Sequence, residues 1–154
     1  KSDFNVAVSM LYSFWYSNAR LSFDSIIETD PTCCMAHVMS GLSLTHPIWN
    51  FISDDDLAAS EEYAIKANEC SEANQARVTD RERAYIKAFS EYSNTSDLLL
   101  ENDPAARLEK YSSAMYEYVY KPFIEEDENG ESTKWVYWVY HSLSSYHDCI
   151  MTIS

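Results

Sequence analysis

An all-α fold is predicted by three observations. Glycine and proline are scarce, 2 and 4 of 154 residues, so the chain has few places to turn. Long stretches place apolar residues at the i, i+3, i+4 spacing of one helix face. The breaks between these stretches carry helix-start chemistry: Asp30-Pro31, Thr79-Asp80-Arg81-Glu82 and Asp103-Pro104. The length suits one domain, residues 1–154, with a buried core, and the 12 Tyr and 4 Trp supply flat packing surfaces.

Taken in order, residues 3 to 15 form a first helix with Val6, Met10 and Phe14 as its inward stripe, and Ser17-Asn18 breaks it. Ala19 to Glu28 form the second helix, with Phe23, Ile26 and Ile27 inward. Asp30 caps a third helix, residues 32 to 44, with Pro31 in its first turn, where a missing N–H is harmless. After the apolar loop His46-Pro47-Ile48-Trp49, Asp54 to Asp56 cap a fourth helix, Leu57 to Ala73, where negative charge meets the positive end of the helix dipole. Thr79 and Glu82 make a capping box for a fifth helix, Asp80 to Tyr92, with Tyr85, Ile86 and Phe89 inward. Asp103-Pro104 opens a sixth, with Leu108, Tyr111, Met115 and Val119 on one face, ending before Pro122. The acidic stretch 125–132 is a turn. Thr133 to Ser154 is taken as a last helix, apolar nearly all round, although the alternation of Trp135, Tyr137 and Val139 also suits a strand. About seven helices result.

The net charge of −14 argues against nucleic acid, whose phosphates need clustered Lys and Arg, and against an anionic membrane surface. No run of 18 apolar residues exists, so no membrane-inserted helix is expected. The chain begins at a lysine inside a helical pattern and stops inside an apolar one, which reads as a processed or partial piece of a longer protein. The cysteines, Cys33, Cys34, Cys70 and Cys149, match no zinc spacing. They fit either buried apolar residues or a disulfide from Cys33 or Cys34 to Cys70. Asn94-Thr95-Ser96 is an N-glycosylation sequon between helices.

No catalytic site emerges. His37, His46, His141 and His147 form no i, i+3 or i+4 pair, and no phosphate-cradling glycine loop or nucleophile elbow is present. Asp54–Asp56 and Asp127-x-Asn129-Gly130 lack the spaced ligands of a calcium loop. Glu61-Glu62 and Glu125-Glu126 read as solvated carboxylates. No cofactor or metal is expected.

One stretch, Ser17 to Gly41, carries more. Ala7, Ala19, Phe23 and Ile26 precede Asp30-Pro31, and Gly41 stands 34 residues after Ala7. This pattern resembles the tetratricopeptide repeat (TPR), a helix–turn–helix unit of that period. The sequence DPTCCMAH (residues 30–37), followed by HPIW (46–49) and RERAYIKA (81–88), resembles a TPR-containing family of uncharacterised function, over about residues 5 to 92. The resemblance implies a TPR-like α-solenoid of antiparallel helix pairs, with degenerate repeats at about 1–33, 34–78 and 79–121 before the last helix, 133–154. It also implies a groove lined by the first helix of each repeat: Phe4, Val8, Leu11 and Tyr12, then Met35, Val38, Leu42 and Thr45. These positions lack the cationic clamp of chaperone-binding members. The implied role is a non-enzymatic protein–protein interaction scaffold whose groove takes an apolar peptide or a helix of another chain. The competing expectation is a protomer that assembles head to tail with copies of itself, through Trp135, Trp138 and Tyr140, into a filament. The filament reading would place the protein outside the cell, and the scaffold reading in the cytoplasm.

Overall fold

The computed structural model describes residues 2–45, 52–96 and 104–123. Among them every regular element is helical: α1 (Ser2–Tyr12), α2 (Tyr16–Thr29), α3 (Cys34–Leu42), α4 (Asp54–Ala73), α5 (Asp80–Ser93) and α6 (Pro104–Met115). The expected count of about seven is thus six α-helices here, and the helix expected at 133–154 lies outside the described residues. α6 runs on through a π-helical turn, Tyr116–Tyr120, into a final short turn, Lys121–Phe123.

Local chemistry explains several shifted boundaries. The break after α1 falls at Ser13–Trp15, not at Ser17-Asn18. The Trp15 N–H donates to the Met10 carbonyl at 3.0 Å and the Phe14 N–H to the Leu11 carbonyl at 3.1 Å. These two bonds are those of a Schellman stop, with Phe14 in the left-handed position at φ 65°. The inward stripe of α1 moves accordingly: Phe4, Ala7, Val8 and Leu11 join Met10 in facing α2, while Val6 and Phe14 are exposed.

Asp30 ends α2 and does not begin α3. Its N–H donates to the Ile26 carbonyl at 2.7 Å, and its carboxylate accepts from the Thr32 hydroxyl at 2.6 Å and the Thr32 N–H at 3.1 Å. Those bonds hold the Asp30 carboxyl below its usual range. They also keep the chain in a turn, so Pro31 stays outside the helix and α3 starts at Cys34. α4 is one turn longer than expected. Ser53 is its N-cap, accepting from the Asp56 N–H at 3.1 Å, so Asp54, Asp55 and Asp56 form the first turn. The capping box of α5 forms as read: Thr79 Oγ1 accepts from the Glu82 N–H at 3.2 Å, and the Thr79 N–H donates to Glu82 at 2.8 Å.

Pro122 does not stop the sixth helix. The preceding π-turn widens the coil, which relieves the clash a proline ring makes with the carbonyl four residues back. Lys87 caps this region with its ammonium 3.9 Å above the Tyr118 ring.

Each helix packs on its neighbours in sequence, and α3 also touches α5. Two apolar clusters result. A small one joins α1 to α2 around Ala7, Ala19 and Phe23, with the Phe4 ring edge-on to Phe23 at 5.4 Å. The larger one runs through α3 to the π-turn: Val38, Ala67, Ile86, Phe89, Tyr111, Met115 and Val119. Within it a disulfide joins Cys34, at the start of α3, to Cys70, near the end of α4, with Cα atoms 5.5 Å apart. This decides between the two readings of the cysteines. Cys33 is a half-buried free thiol, and Cys149 lies outside the described residues. Closing a loop of 36 residues is worth about 3 to 4 kcal/mol by the chain-entropy relation.

Gly41 lies where α3 crosses α4 and α5. A Cβ built there would clash with the end of the Phe89 ring and sit 3.2 Å from Tyr63 Cβ. The Phe89 ring is fully buried, so moving it would disturb the surrounding core. We therefore expect Gly41→Ala to destabilise the fold by about 1 to 3 kcal/mol in urea denaturation. Unchanged stability would mean that this crossing is not close-packed.

Candidate functional site

Two features stand apart from ordinary core and surface: an aromatic corner at the first helical turn and a polar junction between α2, α3 and α4.

The corner is built by the Schellman stop. Left-handed backbone costs a residue with a Cβ about 1 to 2 kcal/mol, and glycine or asparagine usually takes this position. Phenylalanine takes it here, the one non-glycine residue with positive φ among those described. Neither the ring nor its neighbour is buried in return: Phe14 is 44% and Trp15 62% exposed. Leu21 (65%) and Val6 (51%), on the same two helices, are exposed as well. Phe14 packs edge-on against Tyr16 at 6.3 Å, which steadies one ring and leaves the indole outside. Local strain combined with display of apolar surface points to a contact surface.

The junction centres on Asp24 of α2. Its Oδ1 accepts from Ser40 Oγ of α3 at 2.8 Å and from Tyr63 Oη of α4 at 2.7 Å. Burial, reinforced by the bond to Asp24, pushes the Tyr63 phenol up to about 12. His37, one turn before Ser40, is buried, and its Nδ1 has no hydrogen-bond partner among the described residues. Burial lowers the His37 pKa first. The Lys66 charge adds to this and Asp24 opposes it. The junction ties three helices together through one carboxylate oxygen, with both hydroxyls committed to Asp24, and we assign it to structure.

The groove positions are distributed as follows. Phe4, Val8 and Leu11 lie half-buried on the small α1–α2 cluster. Tyr12 is half-buried, and burial together with nearby Tyr85 pushes its phenol up to about 12. Met35 and Leu42 pack at the edge of the larger cluster. Thr45 is buried, its hydroxyl donating to the Leu42 carbonyl at 2.8 Å. Val38 departs from the expectation. It is 2% exposed, filling the core between α3 and its neighbours, and cannot line an open groove. Trp135, Trp138 and Tyr140 lie outside the described residues, as do His46, Trp49 and the acidic stretch 125–132. Among the described residues no three His, Cys, Asp or Glu side chains come together as a metal site requires. No described helix is long and apolar enough to cross a membrane.

Sequence reasoning missed Phe14 and Trp15 as a site, because Phe14 fitted an i, i+4 stripe and nothing at 13–15 is a turn-forming glycine or asparagine. Comparison of the chain with protein-family models, with curated proteins and with solved structures returns no match.

The buried His37 has a measurable effect. Its folded-state pKa lies below the ordinary 6.5, so the unfolded chain takes up the proton first as pH falls. The His37 contribution should be level above about pH 6.5 and decline below it, before the carboxylates titrate. Thermal melts at stepped pH should show this slope, and His37→Phe should flatten it. An equal slope in both proteins would place the titration elsewhere.

Proposed function

We propose that this chain is a TPR-like α-solenoid acting as a non-enzymatic protein–protein interaction scaffold. The observation that carries the reading is the aromatic corner, where a strained Phe14 and an exposed Trp15 are held on a helix pair with a small core. Aromatic side chains with few rotatable bonds are the usual anchors of protein interfaces. Packing of each helix on the next, with α3 also on α5, is what stacked helix pairs produce. The half-buried faces of Phe4, Val8, Leu11, Met35 and Leu42 supply apolar surface along the first helices of the first two pairs. The partner that suits such a surface is an apolar peptide or an amphipathic helix.

A second reading, self-assembly into a filament, is favoured by one observation. The first helix pair displays Val6, Phe14, Trp15 and Leu21. An exposed apolar face of this kind is what a head-to-tail contact between copies requires.

Light scattering over a concentration series separates the two, since a filament grows with concentration and a scaffold awaiting a foreign partner stays monomeric. Phe14→Gly then tests the corner in either case. Glycine relieves the left-handed strain and deletes the ring, so the fold should gain about 0.5 to 1 kcal/mol while assembly, or photo-crosslinking of a partner through position 15, weakens at least severalfold. A variant that is stabilised and associates as before would remove the corner from the interface. Trp135→Asp should likewise abolish filament growth, if that reading holds, while leaving the melting of the described helices unchanged.

A further inference from the structure

We propose that Asn94 carries an N-linked glycan, added as the chain passes through an oxidising secretory compartment. Two independent observations meet in this proposal. One is the sequon Asn94-Thr95-Ser96, which follows α5 directly and so lies where the helical backbone ends. The other is the Cys34–Cys70 disulfide, buried in the main core, a bond that persists in secretory and extracellular settings and is rare in a reducing cytosol. The disulfide places the chain in the kind of compartment where glycosylation of sequons takes place. Neither observation depends on the scaffold or filament reading, and a scaffold carrying this glycan would act outside the cytoplasm expected for it from the sequence.

The geometry at the sequon suits the modification. Asn94 is the C-cap of α5, half-buried, and its Oδ1 accepts from the Ser96 N–H at 2.9 Å. Its Nδ2, the atom that receives the sugar, donates to no group among the described residues. Ser96, the hydroxyl residue of the sequon, is exposed. The surrounding backbone is held from two other helices. Glu61 of α4 accepts from the Thr95 N–H at 3.0 Å and from the Thr95 hydroxyl. Arg107 of α6, itself buried, donates to the Tyr92 carbonyl at 2.7 Å and the Asn94 carbonyl at 2.8 Å. Glu61 is therefore a structural latch and not the freely solvated carboxylate that its place beside Glu62 suggests. None of these bonds uses Nδ2, so a glycan can be attached without breaking the junction of α4, α5 and α6.

The donor is an oligosaccharide joined to a lipid through pyrophosphate. The Asn94 carboxamide nitrogen attacks the anomeric carbon of the first sugar. The new C–N bond forms as the C–O bond to the pyrophosphate breaks, the lipid pyrophosphate leaves with the bonding pair, and the proton lost from Nδ2 passes to a base of the transferase and on to solvent. No oxidant or reductant is involved.

The test is intact-mass spectrometry of the whole chain, expressed behind a secretory leader in a eukaryotic host, before and after peptide N-glycosidase. The total translocated pool is analysed, so retention inside the cell does not hide the result. The expected outcome is one glycan per chain, removed by the glycosidase with conversion of Asn94 to Asp, and absent from Asn94→Gln. Ser96→Ala is the second variant. It keeps the Asn94 contacts and the backbone N–H bond to Oδ1, and should also abolish the glycan. Unmodified Asn94 in a translocated pool that holds the Cys34–Cys70 disulfide would overturn the proposal, as would a glycan that persists in both variants.

Discussion

The main core depends on how closely α3 lies against α4 and α5. α3 is only nine residues long, too short to persist by itself, and it is buried on several sides. Gly41 lets the Phe89 ring and the Tyr63 stem approach its backbone, and Val38 fills the space one turn earlier. At the other end of the helix the Cys34–Cys70 bond fastens α3 to α4 covalently. Between the two, Ser40 donates to Asp24 and draws in α2. Close approach, covalent closure and one shared carboxylate oxygen thus fix a short helix from three directions. Among the described helices, α2 packs on it from one side and α4 and α5 from the other.

The N-terminal pair is built differently. Its own cluster has three fully buried residues, and it reaches the larger core through Met39 and the Asp24 junction. A unit so lightly anchored gains little from holding Phe14 in an unfavourable conformation with its ring half outside. Selection for stability alone would place glycine there. The proposed contact would use the aromatic surface that this conformation displays, which is why the corner carries the proposal ahead of the half-buried groove positions.

Legibility in the sequence followed the range of the interactions involved. The capping box of Thr79 and Glu82 spans three residues and was readable outright, as was the Leu108, Tyr111, Met115, Val119 face. Asp30 was harder, because the same residue type caps a helix start or folds onto a nearby hydroxyl, and the choice was made by Thr32 two positions on. The α1 stripe was misread by about one residue. Val6, Met10 and Phe14 obey the helical period as well as Phe4, Ala7 and Leu11 do, and only the position of α2 separates them. Val38 sat in the right register for a groove, but the approach of α4 and α5 turned that face into core. The pairing of Cys34 rather than Cys33 with Cys70 was likewise a tertiary decision, since adjacent residues point to different faces of a helix start.

The π-turn at Tyr116–Tyr120 has a consequence for the direction of the chain. One additional residue in a helical turn rotates everything after it by about 100° relative to an uninterrupted α-helix. The turn therefore acts as a phase shifter between α6 and the short turn Lys121–Phe123. Tyr116 and Tyr120, four positions apart, stack face to face at 5.5 Å, while Tyr118 turns toward Lys87 of α5. The shift also makes Pro122 compatible with a continuous coil. The azimuth at which Phe123 leaves the described helices is set by these five residues, of which three are tyrosine. A change of one residue in their number would re-aim Lys121–Phe123 and would also disturb the packing of Tyr118 and Val119 on α5.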